Sequence, residues 1–355
     1  MIIEAAAPTR IDLAGGTLDI YPISLLEGEV VTVNLAITIP ARVWIEPYGG
    51  GVAVYSQDLG VGVEAPDAAA LPIGGPLDLV LRAVRYSGVP GRTRVVTASE
   101  APRGSGLGAS SALLVAILAA CERWKGRRGA RTGKGAGAEL VDLASRLEAQ
   151  SIGAPTGKQD YYAALHGGLN AVWFHLEGEA VEPLLPPRRL AGLEEHLILT
   201  FTGAPHASGL TNWAMVRAYL DGVPEAVRGL RAIGRISRQM REALRHGDLR
   251  LTGRLLREEW EARRTLAEGV STPEIERAVR TARRAGALAS KVCGAGGGGC
   301  VVSLVRTGKK AAVEQALAAE GFRVLPFRVA RRGLQVQTRA SKGTRRRSVS
   351  SPPAS

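Results

Sequence analysis

The sequence predicts an α+β protein of two domains. Three observations carry this reading: strand-like segments dominate the first hundred residues, an almost unbroken helical pattern fills Thr211 to Gly286, and Pro186-Pro187 interrupts the chain between them. At 355 residues the chain exceeds what one ordinary core organises. The division is drawn as an N-terminal domain over residues 1–187, a C-terminal domain over 188–338 and a disordered basic tail over 339–355.

The elements follow in order. Ala7 to Ala14 reads as a short strand closed by the turn Gly15-Gly16. Val30 to Val43 is rich in Val, Ile and Thr, and Val52 to Ser56 continues that pattern. Asp78 to Tyr86 has helical spacing, and Arg94 to Ala98 is a strand leading into a glycine loop. Ala109 to Trp124 reads as a largely buried helix and Ala138 to Gln150 as an amphipathic one, with an exposed basic loop, Lys125 to Gly137, between them. Strands return at Leu169 to Phe174 and Leu197 to Phe201. The helical region is punctuated at Pro224, His246-Gly247 and Gly269. Strands Leu288 to Val292 and Cys300 to Val305 flank a glycine turn, followed by a helix from Lys309 to Glu320 and a strand near Phe322 to Val329. No internal repeat is visible.

Composition narrows the class. Hydrophobic residues make up 45% and charged residues 22%, as in a soluble globular protein. The longest apolar run, Ala112 to Cys121, is too short to cross a bilayer, and no basic secretory leader opens the chain. Cys121, Cys293 and Cys300 have no zinc-type spacing and form no disulfide framework, so a cytoplasmic location is expected. Of the formal charge of +13, five units (Arg339, Lys342, Arg345, Arg346, Arg347) lie in the last 17 residues without an acid among them. The rest is interleaved with glutamate on helices, and no nucleic-acid motif accompanies it. The expectation is salt-sensitive affinity for polyanions but no specific nucleic-acid partner.

The chemistry concentrates at Pro102-Arg103-Gly104-Ser105-Gly106-Leu107-Gly108-Ala109-Ser110-Ser111. Alternating glycines at a helix start let backbone N–H groups approach an anion, and the helix end adds unpaired donors and a favourable dipole. Ser110 and Ser111 supply hydroxyls for a phosphate or its Mg²⁺. A dinucleotide fingerprint also fits Gly104, Gly106 and Ala109, but the second strand that motif needs is replaced by the basic loop. A Walker loop would need a lysine before Ser110. A glycine turn serving packing alone is the plain alternative.

Three further segments stand out. Arg10 to Asp19 places a cation on a strand and a carboxylate beyond a glycine turn, where Asp is also ordinary turn chemistry. In Ser151 to Tyr162, Asp160 follows a Gly/Pro/Thr turn and a helix carrying Glu148. Such a carboxylate can orient an alcohol proton, Glu148 can complete an oxygen site for Mg²⁺, and Asp160 can equally cap the next helix. Lys291 to Cys300 holds five glycines among six residues, more than a hairpin needs, and predicts a close approach to ligand or to the first loop. His166 and His206 have no partner at metal or triad spacing; His206 is weighed as a substrate-loop residue.

Together and in this order, these segments resemble the GHMP superfamily of kinases, which includes galactokinase, homoserine kinase and mevalonate kinase. Pro102 to Ser111 resembles the family's P-x-G-x-G-L-G-S-S loop, and the last glycine cluster resembles its third motif. The first segment lacks the Gly-Glu-His of galactokinases. Its Ala14-Gly15-Gly16 and Asp19, with Gly157-Lys158-Gln159-Asp160, are more similar to the D-glycero-D-manno-heptose 7-phosphate kinases. Two departures are Thr17-Leu18 before Asp19, where that group carries Gly-Thr, and Ala109 in place of the first serine after the loop.

The resemblance implies an N-terminal domain with a left-handed βαβ unit, although about 98% of crossovers are right-handed, and a ferredoxin-like C-terminal domain. It implies ATP and Mg²⁺ as cofactors and a small-molecule sugar or sugar phosphate as substrate, without a membrane partner. By position it assigns Asp160 and Arg10 to catalysis, Ser110 and Glu148 to Mg²⁺, Pro102 and Gly104 to Ser111 with Gly296 and Gly297 to the nucleotide, and Asp19, Gly16 and Lys158 to the acceptor. A second acceptor phosphate would draw on Lys158, Arg82, Arg85 or Arg103. The alternatives are a kinase for mevalonate or another small alcohol, and a non-catalytic nucleotide- or nucleic-acid-binding protein.

Overall fold

The computed structural model describes residues 1–126, 136–204 and 208–340. Most of the basic loop, His206 and the tail from residue 341 lie outside the described residues. The first half contains β1 (Ile2–Ala14), α1 (Ile23–Leu26), β2 (Val30–Pro47), β3 (Val52–Ser56), β4 (Val61–Ala65), α2 (Asp78–Ser87), β5 (Thr93–Ser99), α3 (Ala109–Trp124), α4 (Ala136–Ile152), α5 (Gln159–His166), β6 (Leu169–His175) and β7 (Gly178–Pro183). The second contains α6 (Pro187–Glu194), β8 (Leu197–Phe201), α7 (Ser208–Leu220), α8 (Pro224–His246), α9 (Leu249–Arg263), α10 (Pro273–Ala285), β9 (Ala287–Val292), β10 (Cys300–Val305), α11 (Lys310–Ala319), β11 (Arg323–Leu325) and β12 (Gln335–Arg339).

Two sheets organise these elements. The larger runs β12-β1-β2-β5-β3-β4, with β6 paired to β2 and β7 to β6. β2 is long enough to take two neighbours on one edge in succession, β6 along residues 30–35 and β5 along 41–47. All its pairings are antiparallel except β3 with β5, whose parallel crossover runs through β4 and α2. The smaller sheet, β11-β8-β10-β9, is antiparallel, and its order with the intervening helices is the ferredoxin-like one.

α3 is apolar nearly all round, and burial accounts for that: Leu114, Val115, Ile117 and Leu118 are 3% exposed or less. At roughly 1.5–3 kcal/mol each, an upper bound, these four contribute on the order of 6–12 kcal/mol to packing the helix that follows the loop. The breaks in the helical region follow local chemistry. Thr272 caps α10 by accepting from the Ile275 amide at 3.3 Å, Pro273 starts that helix, and Gly286 ends it at φ 111. Asp248 caps α9 through the Leu251 amide at 2.9 Å. Ile11, Leu13 and Val33 of the first sheet share a core with Ile236 and Met240 of α8 and Leu304 of β10, so the halves pack through a continuous apolar layer.

One expectation about the division of the chain is corrected. From Arg328 the chain returns to the first sheet: Arg328 accepts from the Thr38 amide, Val329 bridges Ile37, and β12 pairs with β1 from Ile2 to Ala6. The C-terminal domain therefore does not extend to residue 338, and Arg339 ends a strand rather than beginning a tail. Gln335, Gln337 and Arg339 alternate outward with only Val336 packed on the core, the pattern of an edge strand.

Candidate active site

β5 ends a few residues before the glycine loop, and α3 begins directly after it. Gly104, Gly106 and Gly108 have φ of 64, 69 and 70, the left-handed region that glycine enters without cost. Between them Ser105 and Leu107 are buried and anchor the loop. Gly108 is the N-cap of α3 and carries no capping side chain, so the first amides of that helix keep their donors for an anion.

Arg10 lies within β1 and is 5% exposed. Its Nε and Nη2 donate to Oδ1 and Oδ2 of Asp160 at 2.7 and 2.8 Å, a bidentate pair. Its Nη1 donates to the carbonyl oxygens of Gly106 at 2.6 Å and Cys293 at 2.9 Å. One guanidinium thus joins the phosphate loop, the second glycine segment and the carboxylate. Asp160 stands in the first turn of α5 but caps nothing. Burial pushes its carboxyl above the usual range, Arg10 pulls it down, and Asp12 adds to the rise. A Cβ on Gly108 would lie 2.8 Å from Asp160 Oδ2, so loop and carboxylate are in contact.

Glu148, on α4, accepts from the hydroxyls of Ser110 and Tyr161, and from Ser111 at 3.0 Å. Burial raises its pKa, and the hydrogen bonds from Ser110 and Tyr161 oppose that rise. Ser110 and Glu148 are hard oxygen donors at the helix start, and the described residues hold no cluster of three or more His, Cys, Asp or Glu able to bind a metal. This donor set fits Mg²⁺, which takes one or two protein oxygens and completes its shell with phosphates and water.

Asp19, 4% exposed, faces the same cavity as Asp160 and accepts from the Gln159 amide at 2.9 Å. Its pKa is pushed up to about 6, first by burial, with Asp160 and Asp12 adding to the rise against the Gln159 bond. A Cβ on Gly16 would lie 2.6 Å from both Asp12 Oδ2 and Gln159 Nε2, so a side chain at position 16 would displace both groups. Oδ1 of Asp12 and Oε1 of Gln159 are buried and find no hydrogen-bond partner among the described residues. Arg10, Asp12, Gly16, Asp19, the phosphate loop, Glu148, Gln159 and Asp160 all line one cavity of about 340 Å³. The arrangement can hold an anion on backbone amides, with the Asp160 carboxylate beside the loop and further unpaired oxygens facing the same cavity.

Three expected residues sit elsewhere. Lys158 is not in this cavity's wall; its ammonium pairs with Asp142 at 2.6 Å and Glu179 at 2.5 Å in the neighbouring groove. Gly296 and Gly297 lie against Val270, whose carbonyl accepts from the Gly297 amide at 2.8 Å. The approach to the phosphate loop is made instead by Gly294, where a Cβ would meet Gly106 O at 2.9 Å, and by Gly299, where it would meet Ser105 O at 2.6 Å. Of the cations weighed for a second phosphate, Arg82 pairs with Asp78, whereas Arg103 is exposed and lines the cavity.

Sequence reasoning missed four buried charges. Lys291 donates to Asp12 Oδ2 at 2.9 Å and lies 3.2 Å from Glu259, and Glu259 Oε1 accepts from Arg263 Nε at 2.9 Å. The signal in the sequence was Asp12 two residues from Arg10, a spacing that puts both on one strand face. Glu259 and Arg263, four apart on a helix, looked like ordinary surface charge.

Residues 77–168 match the GHMP kinases N terminal domain, and residues 240–323 match the GHMP kinases C terminal region. The chain is 28% identical over 342 residues to the D-glycero-alpha-D-manno-heptose 7-phosphate kinase of Campylobacter jejuni, covering 94% of this chain and 98% of that one. It is 30% identical over 253 residues to the mevalonate kinase of Thermococcus gammatolerans, covering 67% of each. The crystal structure of a D-glycero-D-manno-heptose 1-phosphate kinase from Bacteriodes thetaiotaomicron superposes with a TM-score of 0.76 at 28% identity, over 96% of this chain and 100% of that one.

Proposed function

The chain belongs to the GHMP kinase family, and from that membership we propose that it transfers the γ-phosphoryl group of ATP to a hydroxyl, the anomeric one, of a sugar or sugar phosphate such as D-glycero-D-manno-heptose 7-phosphate. The observation that carries this reading is the Arg10–Asp160 pair, wedged between the phosphate loop and the corner that holds Asp19.

In this reading the amides of the loop and of the α3 start bind the phosphates of ATP. Asp160 accepts a hydrogen bond from the acceptor hydroxyl and aims its oxygen along the line of displacement. Arg10 keeps Asp160 oriented and offsets the cost of a buried carboxylate. Asp19 and the unpaired oxygens of Asp12 and Gln159 take the remaining hydroxyls of the acceptor. Ser110 and Glu148 would hold Mg²⁺, which supplies charge neutralisation at the phosphates when bound. The acceptor corner presents the Asp19 carboxylate and the unpaired oxygens of Asp12 and Gln159, acceptors that suit neutral hydroxyls.

The test is acceptor-dependent ADP release across D-glycero-D-manno-heptose 7-phosphate, fucose, free hexoses and mevalonate, run beside Asp160→Asn. The wild type should favour a sugar or sugar phosphate. The variant should lose turnover by orders of magnitude while binding ATP normally. Near-normal turnover in the variant, or preference for mevalonate, would overturn the assignment.

A further inference from the structure

Beside the catalytic pair a second set of charges crosses the same cleft. Arg10 and Asp12 are alternate residues of β1 and leave the same face. Opposite them, Cys293 and Lys291 are also two residues apart, at the end of β9. Arg10 reaches the Cys293 carbonyl, and Asp12 takes the Lys291 ammonium on its carboxylate at 2.9 Å and on its own carbonyl at 3.0 Å. Lys291 also faces Glu259, which holds Arg263 through Nε at 2.9 Å and Nη2 at 2.5 Å. Arg263 then returns to the first domain, where Nη2 donates to Gly16 O at 2.8 Å and Nη1 to Thr17 Oγ1 at 3.1 Å. These four charged side chains are 1% exposed or less.

Two carboxylates and two cations make the set neutral, yet buried ion pairs of this kind contribute little net stability compared with apolar packing. Its geometry suggests a different value. The planar fork of arginine touches Glu259 and the Gly16–Thr17 turn at once, which a lysine cannot do. The turn it grips is also costly: Thr17 has φ of 81, a left-handed conformation that a β-branched residue rarely adopts. Two residues further on stands Asp19.

We propose that Arg263 is a positioning residue for the acceptor, holding the Gly16–Thr17 turn, and so Asp19, in register with Asp160. Glu259, Lys291 and Asp12 hold Arg263 in turn, so that α9 and β9 of the C-terminal half set the geometry of a turn in the N-terminal half. This rests on the phosphoryl-transfer reading given above.

The experiment compares wild type, Arg263→Lys and Thr17→Val, using whichever acceptor gives the fastest wild-type ADP release. Arg263→Lys keeps the charge balance but not the fork, and Thr17→Val is isosteric and removes the hydroxyl that Arg263 grips. The acceptor KM should rise about tenfold in Arg263→Lys and severalfold in Thr17→Val, with the ATP KM within about twofold of wild type. An unchanged acceptor KM in both folded variants overturns the proposal. So does an equal rise in both KM values, which would mean general loosening. A wild type that releases no ADP with any acceptor would instead sink the phosphoryl-transfer reading, a result visible before any variant is measured.

Discussion

At the residue scale, the site works by giving similar carboxylates different surroundings. Asp160 is gripped by a guanidinium on both oxygens, whereas Asp19 is held by backbone hydrogen bonds, faces the carboxylates of Asp160 and Asp12, and has Arg263 near it without a direct ion pair. With a pKa of about 6, Asp19 accepts hydrogen bonds through both oxygens above that pH and carries a proton below it. An asparagine resembles only the protonated form. The ratio of acceptor kcat/KM between wild type and Asp19→Asn should therefore be largest near about pH 7 and shrink towards about pH 5. A ratio that stays constant with pH would remove Asp19 from the acceptor contacts. Taking the ratio cancels titration of the substrates and of groups not coupled to Asp19.

At the scale of elements, the phosphate loop is shaped by what presses on it. Gly108 combines a left-handed φ of 70 with a face against Asp160, while Gly88, at the end of α2, has φ of 57 and open space around its Cα. Gly108→Ala should lower turnover about a hundredfold by displacing the carboxylate by a fraction of an ångström, and Gly88→Ala should cost some stability with turnover unchanged. Turnover and melting temperature measured on both variants separate backbone strain from contact. This pairing also explains what the sequence made legible. The loop, Ala109–Trp124, Val52–Ser56 and Leu197–Phe201 were readable because apolar period and glycine punctuation are local signals. β4 and β7 escaped because they are half-exposed hairpin strands with glycine and glutamate among few apolar residues. Gly294 and Gly299 could not be told from Gly296 and Gly297, since five glycines in a row of six look alike until the loop they touch is in place. The quartet around Arg263 was hidden because its members are separated by up to 279 positions, and charge on a helix ordinarily faces water.

At the scale of the molecule, the two halves are stitched by more than the cleft between them. The segment from Arg328 and strand β12 close the first sheet with residues that follow the whole second domain in sequence. Truncation after Leu334 should deprotect those amides of residues 2–6 that face β12, while residues 9–14, paired to β2, stay protected from hydrogen exchange. Equal protection in the truncated protein would show that β12 adds nothing to β1. The candidate site shares this dependence on distant parts: Arg10 needs the Cys293 carbonyl, and the acceptor turn needs Arg263.

The return of β12 to β1 also bears on the order of assembly during synthesis. β1 leaves the ribosome more than three hundred residues before its outer neighbour, β12. At roughly 5–20 residues per second, the open edge of β1 would wait some tens of seconds for its partner. Through that interval Glu4, which pairs with Arg42 on β2 and later with Arg339 on β12, keeps a charge on an edge that would otherwise invite pairing with another chain.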